Sequence, residues 1–312
     1  MSIYLKYLSP LFLAVCLSLS CSKETPPTEE TVEPIDQNLL TASTDLRISK
    51  SWSQETQGWL YPMNIAVPTQ DTPSNGFPIL ILLHGNGGNG SGMLNEWKTL
   101  ITNHILIAPS GYRKSWNISD EASEAPDVEM LSDLIEKLSE FENADLQRIR
   151  IIGYSNGAAL ANRVFIENKN EGIDRIAAVV SQLSKAQYRD NSFYAPSGAT
   201  GGSDTYDGYD LSTTPIQGRA YLSICNENDP IIPYFGGASV GVEFLPAKEA
   251  VYHIAKSQGY GAPYEDSDGS QLQNSSTYEY SYLDKQVVHL RGFANHGMSD
   301  TARNYLINFI TN

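Results

Sequence analysis

Cysteine is scarce in this sequence: Cys16, Cys21 and Cys225 are the three in 312 residues. The first two lie within or directly after an N-terminal apolar stretch that processing would remove. Cys225 is then the single internal thiol, and a disulfide framework is excluded, leaving stability to the core. Cations are also few, 21 Lys and Arg against 36 Asp and Glu, for a formal net charge of −15. With no basic run to offset it, that charge repels nucleic acid and anionic lipid headgroups and argues against both as partners. Internal repeats are lacking, and the 41% hydrophobic content is ample for one continuous core.

What the N-terminus does hold is Lys6 followed by Leu8, Leu11, Phe12, Leu13, Ala14, Val15, Leu17 and Leu19, ending in Leu19-Ser20-Cys21. The stretch is too short to span a bilayer stably. Small residues before a cysteine suit signal cleavage and lipidation, and the pattern resembles bacterial lipoprotein signals, although Ser18 stands where those usually carry Leu. The resemblance implies a signal peptide over residues 1–20, a lipid on Cys21 and a place in the cell envelope as an outer-membrane lipoprotein, with the lipid as the one membrane contact. An ordinary secretory signal is the alternative. Residues 21–43 read as a disordered tether: Lys23 stands among Glu24, Glu29, Glu30, Glu33 and Asp36, with Pro26, Pro27 and Pro34 and almost nothing apolar. Its Ser22-Lys23-Glu24 resembles a short acidic signal that sends lipoproteins to the cell surface in Bacteroidetes-like bacteria.

Residues 44–312 read as one folded domain. Alternation at Tyr61, Met63, Ile65 and Val67 suits a half-buried antiparallel strand. Short runs apolar on both faces follow at Ile79–Leu83, Ile105–Ala108, Ile149–Ile152, Ile176–Val180, Ala220–Ile224 and Gln286–Leu290. Separated by helical patterns, they predict a mostly parallel sheet covered by helices. Val128, Leu131, Leu134, Ile135, Leu138 and Phe141 recur at the helical period, with Asp127 placed as N-cap; a last helix capped by Ser299 or Asp300 buries Ala302, Tyr305, Leu306 and Phe309.

Gly153-Tyr154-Ser155-Asn156-Gly157 stands between a strand and a helix rich in Ala. That context predicts a nucleophile elbow, in which Ser155 adopts a strained backbone and the two glycines let strand and helix approach. His84-Gly85-Asn86-Gly87-Gly88-Asn89-Gly90 ends an earlier strand. Its backbone, near Asn86, and the N–H of Asn156 are the expected oxyanion donors, while no Lys-Ser or Lys-Thr follows to make it a phosphate loop. A serine needs a base. Of His84, His104, His253, His289 and His296, the last lies in a loop between the last strand and the last helix, where such a sheet delivers a histidine; His84 reads as packing beneath its loop, His104 as a strand entrance, His253 as a helix position and His289 as a strand residue. The acid should come between serine and histidine in the chain. Asp229, in the turn Asn226-Glu227-Asn228-Asp229-Pro230, fits, with Glu227 as its competitor.

These residues resemble the α/β-hydrolases that include polyhydroxybutyrate depolymerases, feruloyl esterases and acetyl xylan esterases. The likeness runs from about Phe77 to the C-terminus. It rests on the His84-Gly85 loop, Pro109-Ser110-Gly111 with Ser115-Trp116-Asn117, Arg148 through Gly157, and Asp229-Pro230-Ile231-Ile232-Pro233-Tyr234 with Gly236-Gly237. It implies the α/β-hydrolase fold, Asp229 as triad acid, and action on short acyl or aryl esters, including those of extracellular polymers. Two positions depart: Cys225-Asn226 stands where the family commonly has His-Gly, and no aromatic follows around His296-Gly297-Met298.

Trp116 and Tyr112 either floor a substrate cleft or anchor a surface loop. Between Ser181 and Gly218 runs a long segment rich in Tyr, Gly, Ser and Asp, which reads either as a substrate-binding lid, with Tyr188, Tyr194, Tyr206 and Tyr209 offering aromatic faces, or as a disordered loop. Its Asp204, Asp207 and Asp210 match no calcium loop, and neither metal nor cofactor is expected. A serine peptidase or amidase, and an inactive glycan-binding lipoprotein, remain the alternatives.

Overall fold

The computed structural model describes residues 38–119, 121–197 and 206–312. The signal peptide, Cys21, most of the tether and Asp204 lie outside the described residues. Runs that are apolar at every position become strands buried on both faces, and they assemble here into one nine-stranded sheet. In chain order the strands are β1 Met63–Ala66, β2 Phe77–Leu83, β3 Ile105–Pro109, β4 Ala144–Tyr154, β5 Ile173–Val179, β6 Ala220–Asn226, β7 Ser270–Gln271, β8 Tyr278–Tyr282 and β9 Val287–Gly292. Their spatial order is β7-β8-β9-β6-β5-β4-β2-β3-β1. Strands β3, β2, β4, β5, β6 and β9 pair in parallel. The edges, β1 on one side and β8 with β7 on the other, are antiparallel. The apolar runs read from sequence fall on these parallel strands, but the strands run further: β2, β4 and β5 start two or more residues earlier, and β4, β6 and β9 end two residues later.

Helices α1 Gly90–Trp97, α2 Asp127–Leu138, α3 Asn156–Glu167, α4 Ala247–Ser257 and α5 Asp300–Thr311 cover the sheet. Successive side chains of β2 show how the two layers divide. Ile79, Ile81 and Leu83 join one core with Leu131 of α2, Leu160 of α3 and Ile254 of α4, whereas Leu80 and Leu82 join another with Trp97 of α1 and Leu306 of α5. Helix α5 begins as expected, with the Ser299 hydroxyl accepting the N–H of Ala302 at 3.2 Å.

Two expectations are corrected. The folded part begins before residue 44: Leu40 is 1% exposed, and its N–H and carbonyl bond the side-chain amide of Asn143 at 2.8 and 2.9 Å. Asn38 adds two more ties, donating from its side-chain amide to the Glu140 carbonyl at 2.8 Å and accepting the Glu142 N–H on its own carbonyl at 3.0 Å. Asp127 is not the cap of α2, because Pro126 holds that position. The Asp127 carboxylate is instead buried, accepting the Tyr61 hydroxyl at 3.0 Å and the Asn117 N–H at 2.7 Å. Loss of water there pushes its pKa up to about 7.

After β5 the chain forms a small antiparallel sheet of Tyr188–Arg189, Ser192–Ala195 and Leu211–Thr213. After β6 a hairpin pairs Gly237–Ser239 with Val242–Phe244, and a bridge from Ser184 to Phe244 ties the two excursions together. Both leave from the carboxyl ends of sheet strands, so they rise over the edge of the sheet where Ser155 sits.

Candidate active site

Strand β4 ends at Tyr154 and α3 begins at Asn156, so Ser155 alone makes the turn, at φ 54° and ψ −117°. A side chain other than glycine's pays for such a backbone with about 1–3 kcal/mol of strain. The flanking glycines are required by contact: a Cβ on Gly153 would lie 2.1 Å from the Gly157 carbonyl oxygen, and one on Gly157 would lie 2.3 Å from that of Leu83. The elbow is thus wedged between its own helix and β2, and the serine is held above the sheet edge.

His296 meets it there. Its Nε2 is 2.8 Å from Ser155 Oγ, and its Nδ1 is 2.8 Å from Asp229 Oδ2. A carboxylate can only accept, so the imidazole proton belongs on Nδ1 and Nε2 is free to take the serine proton. The Asp229 side chain is 2% exposed. Its other oxygen accepts the N–H groups of Ile231 and Ile232 at 2.8 and 3.0 Å, which orients it without water. Glu227, the competing acid, pairs with Arg291 at 3.2 Å.

The loop carrying the histidine is fixed by residues that sequence reading did not single out. Asn226, at the end of β6, donates from Nδ2 to the carbonyls of Asn295 at 2.8 Å and Gly297 at 2.9 Å, and accepts the Ala294 N–H at 3.1 Å. Asn228 and Asn295 add a reciprocal pair. Tyr154 donates its hydroxyl to the His296 carbonyl. The departure at Cys225-Asn226 was the available signal: an amide there serves as a two-sided clamp.

The glycine loop lies against the nucleophile. A Cβ on Gly85 would stand 3.4 Å from Ser155 Cβ, and Gly85, Asn86 and Asn156 line the same cleft as Ser155. His84 packs beneath the loop as expected: its Nε2 accepts the Gly111 N–H at 2.9 Å and its Nδ1 donates to the Gly85 carbonyl at 2.8 Å. Burial lowers its pKa, which keeps it neutral in that role. His104, His253 and His289 likewise lie off the cleft, so that His296 is the histidine lining it among the described residues.

Trp116 is corrected as a substrate-binding residue. It is 0% exposed, its ring stacks near His84 and its indole N–H donates to the His84 carbonyl at 2.8 Å, so it supports the loop from inside. Its backbone N–H and carbonyl bond the Asn156 side-chain amide at 2.7 and 3.0 Å. Tyr112 is also buried and bonds Glu55. The tyrosines of the 181–218 segment are corrected too, for none lines the cleft. Tyr188 stacks on His253 at 4.0 Å, Tyr194 and Tyr206 lie against Arg189, and the buried Tyr209 bonds the Ile118 carbonyl. Tyr194 and Tyr206 hold the excursion together through Arg189, whereas Tyr188 and Tyr209 tie it to α4 and to the loop at Ile118.

The cleft occupies about 540 Å³. Its lining is mixed, with apolar Ile231, Ile232, Val240, Val242 and Phe244 and polar Ser115, Glu121, Gln182 and Gln187. Burial raises the Glu121 pKa, although N–H groups of Ile118 and Ser119 at 2.9 and 2.6 Å stabilise its charge.

This sheet, elbow and cleft define an α/β-hydrolase fold. An acetyl xylan esterase from Aspergillus awamori has the same fold at TM-score 0.51 and 15% identity, over 80% of this chain and 94% of that one. A Bacillus cereus carboxylesterase aligns at TM-score 0.49 and 13% identity, over 80% and 93%. A poly(3-hydroxybutyrate) depolymerase from Bordetella parapertussis aligns at 0.45 and 15%, over 68% and 79%. No family model matches the sequence, and no curated protein matches it.

Proposed function

We propose that the protein is a serine carboxylic ester hydrolase. One observation carries this: Ser155 Oγ, His296 and Asp229 are joined by two 2.8 Å contacts at a cleft open to a small ester. In the reaction, Ser155 Oγ bonds the ester carbonyl carbon as its proton passes to His296 Nε2. The oxyanion is met by the Asn156 N–H and the loop at Asn86. The C–O bond then breaks, the alcohol leaves with the proton from His296, and water, activated by the same nitrogen, releases the acid from Ser155. Asp229 holds the imidazole tautomer throughout.

Short acyl or aryl esters, including those presented by extracellular polymers, are the proposed substrates. The cleft volume supports this, since pockets for small ligands span about 300–1,000 Å³. So do the polar side chains in its lining, which accommodate a long alkyl chain poorly. The test is labelling by a fluorophosphonate with mass mapping of the adduct, together with rates across ester chain lengths. A Ser155 adduct, turnover lost by about 10⁴ or more in Ser155→Ala, and a fall beyond about eight carbons are expected. A Ser155→Ala protein retaining a tenth of the activity would sink the assignment, and a maximum on long-chain esters would move it toward lipases.

The lipid anchor is part of the same proposal. Two acyl signals on an amino-terminal Cys21 hold a protein to a membrane stably, and the acidic, proline-containing stretch after it supports a leash at the cell surface. Cys21→Ala should move the protein from the membrane to the soluble fraction; a variant still membrane-bound would favour an uncleaved segment.

A further inference from the structure

The hairpin of Gly237–Ser239 and Val242–Phe244 turns in two residues, Val240 at φ 46° and Gly241 at φ 78°. Positive φ at both positions gives the turn that matches strand twist, and asparagine, aspartate or glycine ordinarily fills the first of them. Valine breaks that rule, because its branched Cβ crowds the backbone in the left-handed region. Burial does not compensate, for Val240 is 65% exposed. The side chain therefore costs strain and adds almost nothing to the core. What it does meet is the cleft, which it lines together with Val242 and Phe244 of the same hairpin. Those two, two residues apart, share the hairpin's inner face, while Glu243 between them lies on the outer face and pairs with Lys185. The Ser239 hydroxyl, next to Val240 in the chain, donates to the Ile231 carbonyl at 2.6 Å, and the Ile231 N–H in turn bonds Asp229. The tip is thus tied to the turn that carries the triad acid, and Ile231, 41% exposed, lines the cleft as well.

We propose that Val240 is a specificity-determining residue: from a strained turn it presents its isopropyl group, together with Ile231, to a short alkyl or aryl group of the ester. Both side chains are open to solvent, so a hydrocarbon group settling on them removes apolar surface from water on substrate and protein alike. Backbone strain at a ligand site persists when the contact, and not the fold, is what the residue serves. Relieving it should then stabilise the protein while weakening its selection of substrate. This inference rests on the ester-hydrolase reading and adds the residue that reads the hydrocarbon part of the substrate.

The test compares kcat/KM for two matched pairs: butyryl against acetyl esters of one alcohol, and butyl against methyl esters of one acid. Dividing the wild-type ratio by that of a variant cancels intrinsic ester reactivity. Val240→Asn suits the turn and removes the apolar contact; Val240→Thr keeps the shape and the strain but makes the surface polar. For at least one pair, the long-to-short ratio should fall about fivefold in Val240→Asn and about twofold or more in Val240→Thr. A fall in the acyl pair alone puts the acid part of the ester against the hairpin, and a fall in the other pair alone puts the alcohol part there. The melting temperature should rise by about 2–4 °C in Val240→Asn and stay unchanged in Val240→Thr. Ratios unchanged in both pairs would overturn the inference. A lowered melting temperature in Val240→Asn would overturn it too, by assigning the side chain to the hairpin's own packing. A wild-type protein that hydrolyses no ester would remove the ester-hydrolase reading itself, a result distinct from hydrolysis with unchanged ratios.

Discussion

Asn226 holds His296 without touching its ring: its amide bonds the carbonyls of Asn295 and Gly297, the residues on either side of the histidine. The end of β6 therefore sets both the acid, three residues on, and the height of the base. Asn226→Ala is expected to lower kcat about 10–100-fold with KM changed less than about threefold, because a displaced imidazole reacts poorly while the cleft persists. Parallel changes in both, or none, would deny Asn226 this positioning role.

Asp229→Asn is expected to reduce kcat by about 10⁴, since an amide cannot hold the Nδ1 proton as the carboxylate does. Glu227→Gln should cost less than about threefold, for it loses a partly exposed pair with Arg291. Steady-state rates for both variants decide the matter, and similar mild losses would remove Asp229 from its role.

Gly157→Ala places a methyl 2.3 Å from the Leu83 carbonyl oxygen. Neither backbone can yield, so the substitution should destabilise by about 3 kcal/mol or more, read from a urea melt. Gly87→Ala has open space and a φ of +80°, so backbone strain of about 1 kcal/mol is its main cost. Equal midpoints for the two variants would contradict the wedge at the elbow.

Stability should fall on mild acidification. Burial lowers the pKa of His289 to about 3 and of His104 to about 4. Each is neutral when folded but takes a proton near pH 6.5 when unfolded. Their contribution is complete above about 6.5 and is lost as pH falls, by up to about 1.4 kcal/mol per pH unit for each. The His289 contribution runs down to about 3. Asp127, whose pKa is raised to about 7, acts in the opposite sense between about 4 and 7, because it is protonated in the fold where the unfolded carboxyl is ionised. Melting temperatures of wild type and His289→Asn from pH 7 to 4.5 test this: the variant's decline should be shallower, and identical slopes would refute the burial argument.

The elements that sequence reading recovered are those with local signals. An apolar run such as Ile79–Leu83 specifies a strand buried on both faces whatever lies beside it, and Gly153 through Gly157 after a strand specifies the elbow. The last helix was legible because Ser299 and its buried stripe fall within twelve or so residues. Helix α1 was not, since Gly90-Ser91-Gly92 has poor helix propensity. It forms because Asn89 caps it and Met93 and Trp97 are buried against the sheet.

By itself, then, the sequence determined the strand and helix framework, the elbow serine, and the chain order in which an acid and a histidine could follow. Only the tertiary structure decided where side chains in loops point. Trp116 turned inward because His84 offered its carbonyl there, and the Gln187 side chain is tied down because its Oε1 accepts the Ser184 N–H. Asn226 became a clamp because parallel pairing of β6 with β9 brings it to Asn295, 69 residues away. Periodicity encodes which face of an element is apolar; it carries nothing about which distant loop that element's end will meet, which depends on the register of the whole sheet.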